Sequence, residues 1–339
     1  MIVIMQVGAT KAQVSAVVAN VKSMGLSAHV IEGQERTVVA VVGDDRSAID
    51  RDVLSAMEGV ERMMAVLAPY KIASREVHPA NTLIPLDGFQ VGDRNVFIIA
   101  GPHAVEGRDQ TVDIAQALKA AGANALTGNV YWPSPYAAQG PGESGLNMLA
   151  DVRSKTGLPI VSEVMEPELV PLIARYADVL QIGGQSMQNY PLLNAVGDSQ
   201  RPVLLKRGVV NTLEELLMAA EYILSHGNRQ VILCECGIRT YESYTQNITF
   251  DINAVPVLKS KTHLPVVVDV SHAAGYCDFV GAAAKAAVAS GADGLIIEVD
   301  YNRPSTSAET EEQNALSLDQ FAALVKDLRR VAAAVGRKI

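Results

Sequence analysis

The sequence predicts an α/β architecture: a (β/α)8 TIM barrel preceded by a small ferredoxin-like α+β domain. Three observations predict it. From Asn95 to the C-terminus, apolar runs alternate with helical patterns about eight times, the pattern of parallel strands joined by crossover helices. Residues 1–72 read β-α-β-β-α-β, the order of a ferredoxin-like split unit. The 339 residues are 49% hydrophobic but only 5% aromatic, which suits Ala-, Val- and Gly-rich helices packed on buried strands.

The elements follow in order. Residues 1–7 are apolar and strand-like. Thr10 caps a helix running through Ser23, with Val14, Val17, Val18 and Val21 on one face. Residues 28–32 and 37–42 read as strands on either side of Gly33, 47–57 as a second helix and 60–67 as a last strand. This unit, 1–72, is regulatory or dimerising (ACT-like), or purely structural. A polar connection with Pro69 and Pro79 leads into a linker assigned to 73–94, and the barrel occupies 95–339. Its strands are expected at 96–100, 125–131, 159–164, 179–182, 202–206, 230–234, 265–269 and 294–299. Helical segments such as 108–121 and 212–225 lie between them. A doubly wound sheet is the alternative, but no early G-x-G-x-x-G signature supports it.

The charge balance, 28 Lys and Arg against 37 Asp and Glu, leaves −9 and argues against a nucleic-acid partner, which would require a basic face. Three cysteines, Cys234, Cys236 and Cys277, cannot all pair within one chain, so no disulfide framework is expected. No leader pattern opens the sequence and no stretch of ~18 apolar residues occurs, so a cytoplasmic protein without a membrane partner is expected.

In a barrel of this kind, functional groups gather where the strands end. The expected ends carry His103, Asn129 to Trp132, Glu163, Gln181 to Gln185, Lys206 with Arg207, Cys234 to Cys236, Asp269 to His272, and Glu298 with Asp300. His103, His272, Glu298 and Asp300 come from three separated strands. Two imidazoles with carboxylate suit a divalent ion such as Mn, Fe, Co or Zn. Lys206 could hold a substrate carboxylate, act as an acid or base, form a Schiff base, or simply reach out to the barrel rim. Cys234 and Cys236 fall on one side of a strand and read as small packing residues rather than a zinc or redox pair.

Several longer stretches carry a family resemblance: GQERTVVAVVGDD (33–45), APYKIASREVHP (68–79), IIAGPHAVEG (98–107), QGPGESGL (139–146), PVLLKRG (202–208), GIRTYE (237–242) and VVDVSHAAG (267–275). The chain resembles 3-deoxy-D-arabino-heptulosonate-7-phosphate (DAHP) synthases of the subclass with an N-terminal ferredoxin-like domain. The resemblance implies a divalent metal and the aldol-type condensation of phosphoenolpyruvate with erythrose 4-phosphate, the first step of the shikimate pathway. It also implies a homo-oligomer, dimer or tetramer, with an aromatic amino acid effector at the N-terminal domain.

Against the family pattern, His103 stands where a ligating Cys is usual, while His272 and Glu298 match the other ligands. The last family ligand, an Asp in the loop before the final helix, has no clear counterpart in 308–313. The Lys-Pro-Arg-Thr-Ser-Pro loop is shortened to Trp132-Pro133-Ser134-Pro135, and family arginines are replaced by Gln185, Cys236 and Gln246. Lys206, Arg207, Glu163, Asp269 and His272 are kept. Since an Arg–phosphate fork has no equivalent in Gln or Cys, the expected function is a DAHP-synthase-like aldolase with an altered donor and acceptor. A 2-oxo acid or enol donor such as pyruvate would pair with a less phosphorylated acceptor, as in specialised metabolism. The expected catalytic residues are Lys206, His272, Glu163 and Asp269. The expected substrate-binding residues are Lys206, Arg207, Gln185, Cys236, Tyr131, Trp132 and Ser134. Tyr131, Trp132 and Tyr136 would line the acceptor pocket or, equally, pack at the rim. Two alternatives stand beside this: a genuine DAHP synthase with a rebuilt phosphate site, and a non-catalytic regulatory protein of the same fold.

Overall fold

A computed structural model describes residues 1–33, 36–42, 51–64, 69–103, 105, 107–131, 140–300 and 314–339, excepting the side chains of Arg51 and Asp52. Parts of the helix expected over 47–57 and the strand expected over 60–67 lie outside the described residues. So do Trp132, Ser134, Tyr136 and the stretch 308–313. The chain forms two compact units, Met1–Asn81 with Ser260–His263, and Thr82–Lys259 with Leu264–Ile339.

The first unit runs β1 (Ile2–Met5), α1 (Lys11–Ser23), β2 (Ser27–Glu32), β3 (Thr37–Val42), α2 (Arg51–Ser55) and β4 (Val60–Met64). Its sheet has the order β2-β3-β1-β4 with antiparallel pairing, as the ferredoxin-like reading requires. Thr10 caps α1 through a reciprocal capping box with Gln13, which satisfies the first free N–H groups of the helix. Val17 and Val21 then fall on the buried face, against Val3, Met5, Val39, Val41 and Leu54.

The second unit opens with a hairpin of β5 (Ile84–Leu86) and β6 (Phe89–Val91), inside the stretch expected to be a linker. The barrel follows: β7 (Phe97–Gly101), α3 (Arg108–Ala121), β8 (Ala125–Thr127), α4 (Gly142–Thr156), β9 (Ile160–Glu163), α5 (Val170–Ile173), β10 (Val179–Ile182), α6 (Tyr190–Asp198), β11 (Val203–Lys206), α7 (Leu213–Ser225) and β12 (Val231–Glu235). A small β13 (Ile238–Arg239) and β14 (Ile248–Thr249) hairpin interrupts the alternation. Then come α8 (Ala254–Lys261), β15 (Val266–Asp269), α9 (Val270–Ala274), α10 (Cys277–Ala289), β16 (Gly294–Glu298) and α11 (Leu318–Ala334). Strands β7 to β12, β15 and β16 close into a parallel barrel in chain order, with β16 pairing back to β7. No helix among the described residues is long and apolar enough to cross a membrane.

A repeated device starts the strands in register. Asn124, Asp178 and Asp293 each stand just before a strand, and each accepts a hydrogen bond from the first turn of the preceding strand: Ile98, Ile160 and Val266 N–H. The barrel interior is packed by alternate residues, among them Phe97, Ile99, Ala125, Val161, Val179, Leu204, Ile232, Val267 and Ile296. The hairpin residues Ile84, Val91, Leu86 and Phe89 belong to the same cluster, with Phe89 and Phe97 rings 5.0 Å apart. At Gly101, a Cβ would collide with the carbonyl oxygen of Thr127. Only glycine lets β7 and β8 approach there, one step below the site.

Candidate active site at the carboxyl ends of the strands

The period-two columns that fill the barrel continue upward as polar residues. Two positions beyond Leu204 stands Lys206, beyond Val267 Asp269, and beyond Ile296 Glu298. Glu163 follows Val161 and Gln181 follows Val179. Thr127 and Asn129 extend the column of Ala125, and His103 that of Ile99. The result is a cleft of about 370 Å³, open mouth included, lined by Pro102, His103, Thr127, Asn129, Glu163, Gln181, Lys206, Asp269, His272, Ile296 and Glu298.

Asp269 organises one side. It ends β15 and caps α9, with Oδ1 accepting the His272 N–H at 3.1 Å. Its Oδ2 faces Lys206 Nζ at 2.7 Å and His272 Nδ1 at 2.8 Å. Burial opposes the Lys206 charge, but the Asp269 carboxylate, together with Cys236 and Cys234, outweighs it and holds the ammonium well above its ordinary range. Burial likewise opposes the Asp269 charge, and the facing His272 and Lys206 drive its carboxyl far below the usual range. His272 is raised, by Asp269 first and against burial.

His103, His272 and Glu298 bring ligand atoms within 4.8 Å of one another. His103 Nδ1 lies 3.1 Å from Glu298 Oε1, and His272 Nδ1 3.8 Å from the same oxygen. Burial opposes the Glu298 charge, and the His103 hydrogen bond and His272 outweigh it, so the carboxylate is lowered and ready to ligate. Two imidazoles and one carboxylate on three elements form a donor set that fits Mn, Fe, Co or Zn. Its ligand atoms converge before any ion binds, so these residues fit a divalent metal.

Asp300 does not join this group. It stands beyond the end of β16, and its backbone N–H donates to the Leu316 carbonyl at 2.9 Å. Arg207 also departs from expectation. Its guanidinium is buried, with Nη1 3.0 Å from Glu235 and 2.9 Å from Asp251, and Nε donates to the Asn211 carbonyl. Neighbours on a strand face opposite ways, so Lys206 enters the cleft and Arg207 leaves it. Gln185 is exposed on a short turn after β10 and is not among the cleft residues. Cys236 is buried 3.8 Å from Cys234, and that hydrogen bond together with burial pushes its thiol well above the usual range. Tyr131 lies beside Gly142, not among the cleft residues. Trp132 and Ser134 lie outside the described residues. Thr127 is a cleft residue the sequence reading missed, while Asn129 and Gln181 stand there among the polar strand ends without an assigned role. The available signal was a polar residue breaking an apolar strand at an inward position, as Gln181 does between Leu180 and Ile182.

Fold and site together define a two-unit (β/α)8-barrel protein with a donor set that fits a divalent ion and a fixed cation at its carboxyl face. The DAHP synthetase I family matches residues 71–334, and the DAHP synthase ferredoxin-like domain matches residues 1–68. A phospho-2-dehydro-3-deoxyheptonate aldolase of Thermotoga maritima is 42% identical, over 100% of both chains. A 2-dehydro-3-deoxyphosphooctonate aldolase of Syntrophotalea carbinolica is 33% identical, over 72% of this chain and 93% of its own. The crystal structure of the Thermotoga maritima phospho-2-dehydro-3-deoxyheptonate aldolase superposes with a TM-score of 0.77 at 40% identity, covering 99% of this chain and 98% of that one. The chain belongs to the DAHP synthetase I family.

The expectation of an altered donor and acceptor is corrected by these matches, which fit a DAHP synthase better and give no ground for doubting the family's activity. The physical reason is visible in the site. The replaced positions on which that expectation rested either lie outside the described residues or do not line the cleft. Lys206, Asp269, His272, Glu298 and Glu163 are gathered within the cleft.

Proposed function

We propose that the protein is a DAHP synthase that condenses phosphoenolpyruvate with erythrose 4-phosphate. The observation that carries this reading is the single cleft uniting the His103, His272 and Glu298 donor set with Lys206. In the reaction, the enol carbon of the donor bonds to the aldehyde carbon of the sugar phosphate, and the aldehyde oxygen takes a proton. Water adds to the carbon that carried the phosphate, and inorganic phosphate leaves.

Lys206 is a fixed cation in this scheme. Its ion pair with Asp269 keeps it protonated, which suits a carboxylate partner and disfavours the Schiff-base reading, since imine formation starts from a neutral amine. Asp269 is a positioning residue that holds Lys206 and His272 at fixed angles from one rigid corner. Glu163, fixed by the Gln181 amide at 3.0 Å, places a carboxylate on the opposite wall, where it can take or return a proton on bound water. A divalent ion held by His103, His272 and Glu298 would polarise a carbonyl oxygen. The protein thereby acts on small-molecule substrates. The N-terminal unit is assigned an aromatic amino acid effector, and the assembly a homo-oligomeric state. A rise in melting temperature with Tyr or Phe tests the former, because a ligand of the native state stabilises it.

The test of the main reading is direct. Metal-loaded protein given both substrates should release phosphate and form the seven-carbon product by mass spectrometry, and Lys206→Met should abolish this while retaining bound metal. Absence of product from metal-loaded, folded protein overturns the reading.

A further inference from the structure

The catalytic account leaves two oxygen atoms of the cleft unused, one on Gln181 and one on Asn129. Gln181 lies on β10, 3% exposed, directly across the ladder from Glu163. Its Nε2 donates to Glu163 Oε2 at 3.0 Å. A carboxylate only accepts, so the amide nitrogen must face it, and the orientation of the amide is fixed by chemistry. That leaves Oε1 on the other side, buried and without a hydrogen-bond partner. Asn129, just beyond β8 and lining the same cleft, repeats the pattern: its Oδ1 is also buried without a partner. Buried carbonyl oxygens are rarely left unpaired, and two in one cleft mark a place where a ligand completes the bonding.

On that wall, Gln181 Oε1 and the Glu163 carboxylate accept hydrogen bonds, and a phosphate or carboxylate placed against them would meet acceptors, whereas a hydroxyl group can donate to Gln181 Oε1 or Asn129 Oδ1 and accept from the Asn129 amide. The cationic side of the cleft is at Lys206. We propose that Asn129 and Gln181 are specificity residues that accept hydrogen bonds from hydroxyl groups of the sugar acceptor, so that the hydroxylated part of the substrate lies on this wall. The proposal deepens the DAHP synthase reading and rests on it for the identity of the substrate. It assigns to the site a preference for a polyhydroxylated aldehyde over a deoxygenated one.

The experiment compares the full-length metal-loaded protein with its Asn129→Leu and Gln181→Met variants. Asn129→Leu removes an unpaired acceptor while keeping bulk, so its melting temperature should not fall; Gln181→Met also removes the hydrogen bond to Glu163, so its melting temperature and kcat should fall as well. The KM for erythrose 4-phosphate should rise about tenfold in each variant, the scale of one lost hydrogen bond, with the KM for phosphoenolpyruvate unchanged. Wild-type protein should discriminate against 2-deoxy and 3-deoxy analogues of the sugar phosphate, and each variant should lose discrimination at one position. Unchanged KM and unchanged discrimination overturn the proposal, as does a parallel rise in both KM values, which would mark a structural role. A binding arm separates its failure from that of the parent reading. Saturation-transfer NMR with erythritol should show contact with wild-type protein that is lost in the variants, while binding of inorganic phosphate persists in all three. If no seven-carbon product forms but erythritol contact depends on Asn129 and Gln181, the subsite stands and the reaction assignment falls. If erythritol contact is the same in all three proteins, the subsite falls.

Discussion

Replacing Asp269 with Asn removes a charge but little shape, and the remaining amide oxygen can still cap α9 at the His272 N–H. The consequence falls on Lys206, whose side chain is 12% exposed and whose Nζ lies 2.7 Å from the Asp269 carboxylate. Two unit charges at that separation attract by about 6 kcal/mol at an effective dielectric of about 20. Desolvation of both groups offsets much of this, and His272 shares the same oxygen. Leaving a buried charge without its partner costs about 3–5 kcal/mol. The lower end applies because Lys206 opens to the cleft, so Asp269→Asn should cost about 3 kcal/mol. Lys206→Met should cost less, about 1–2 kcal/mol, because Asp269 keeps His272 as a partner. The double variant should then reveal a coupling of about 2 kcal/mol. The assay is urea unfolding of metal-stripped protein by circular dichroism, paired with amide exchange at β11 and β15. The second readout is needed because two compact units need not unfold together. A coupling below about 0.5 kcal/mol would refute the reasoning, since it would mean that water already solvates Lys206 and that Asp269 does not fix it.

Three further outcomes are expected. His103→Ala should weaken divalent-ion affinity at least about tenfold, measured by metal titration, because the loss of a ligand should cost no less than loss of a ligand's supporting partner; His103→Cys should retain an ion and shift preference toward softer metals. Arg207→Met should destabilise the barrel by about 3 kcal/mol in denaturant, because Glu235 and Asp251 lose a shared buried cation, with the KM values of the folded enzyme nearly unchanged. Acid should weaken the metal-free protein through Asp269. Its folded pKa is depressed below the unfolded value of about 3.9, so its stabilising contribution is complete above that value and is lost as the pH falls below it. The slope of stability against pH in that window should flatten in Asp269→Asn.

Much of the fold was legible because the barrel repeats one rule. Each expected barrel strand overlaps an observed one, and 179–182 coincides with β10. Where the reading overshot, a specific turn explains it. Residues 125–131 form one apolar run, but β8 ends at Thr127. The Gly128 N–H still reaches the Val161 carbonyl, and the next N–H, of Asn129, turns to His103 instead. Val130 is therefore buried outside the sheet ladder. The hairpin at 84–91 escaped notice because its two strands have three residues each, too short for a periodic signal.

The site was legible to the extent that alternation was followed through each strand end. Counting by two from the apolar interior reaches Lys206, Asp269, Glu298, Glu163 and His103, and the same count reaches Gln181 and Asn129, which stand among the polar strand ends but, being uncharged, suggest no role by themselves. Arg207 was placed in the site because it adjoins Lys206, yet adjacency along a strand is the one relation that sends two side chains to opposite faces. Asp300 shares parity with Glu298, but parity holds only while the chain remains a strand, and β16 ends at Glu298. Past that end, Val299 pairs with Leu316 in an isolated bridge rather than continuing the barrel ladder. Parity carries past the strand end at His103 and Asn129 but fails at Asp300, so it is dependable only up to the last ladder hydrogen bond. Beyond it, the position of a side chain depends on long-range pairing that no local pattern encodes.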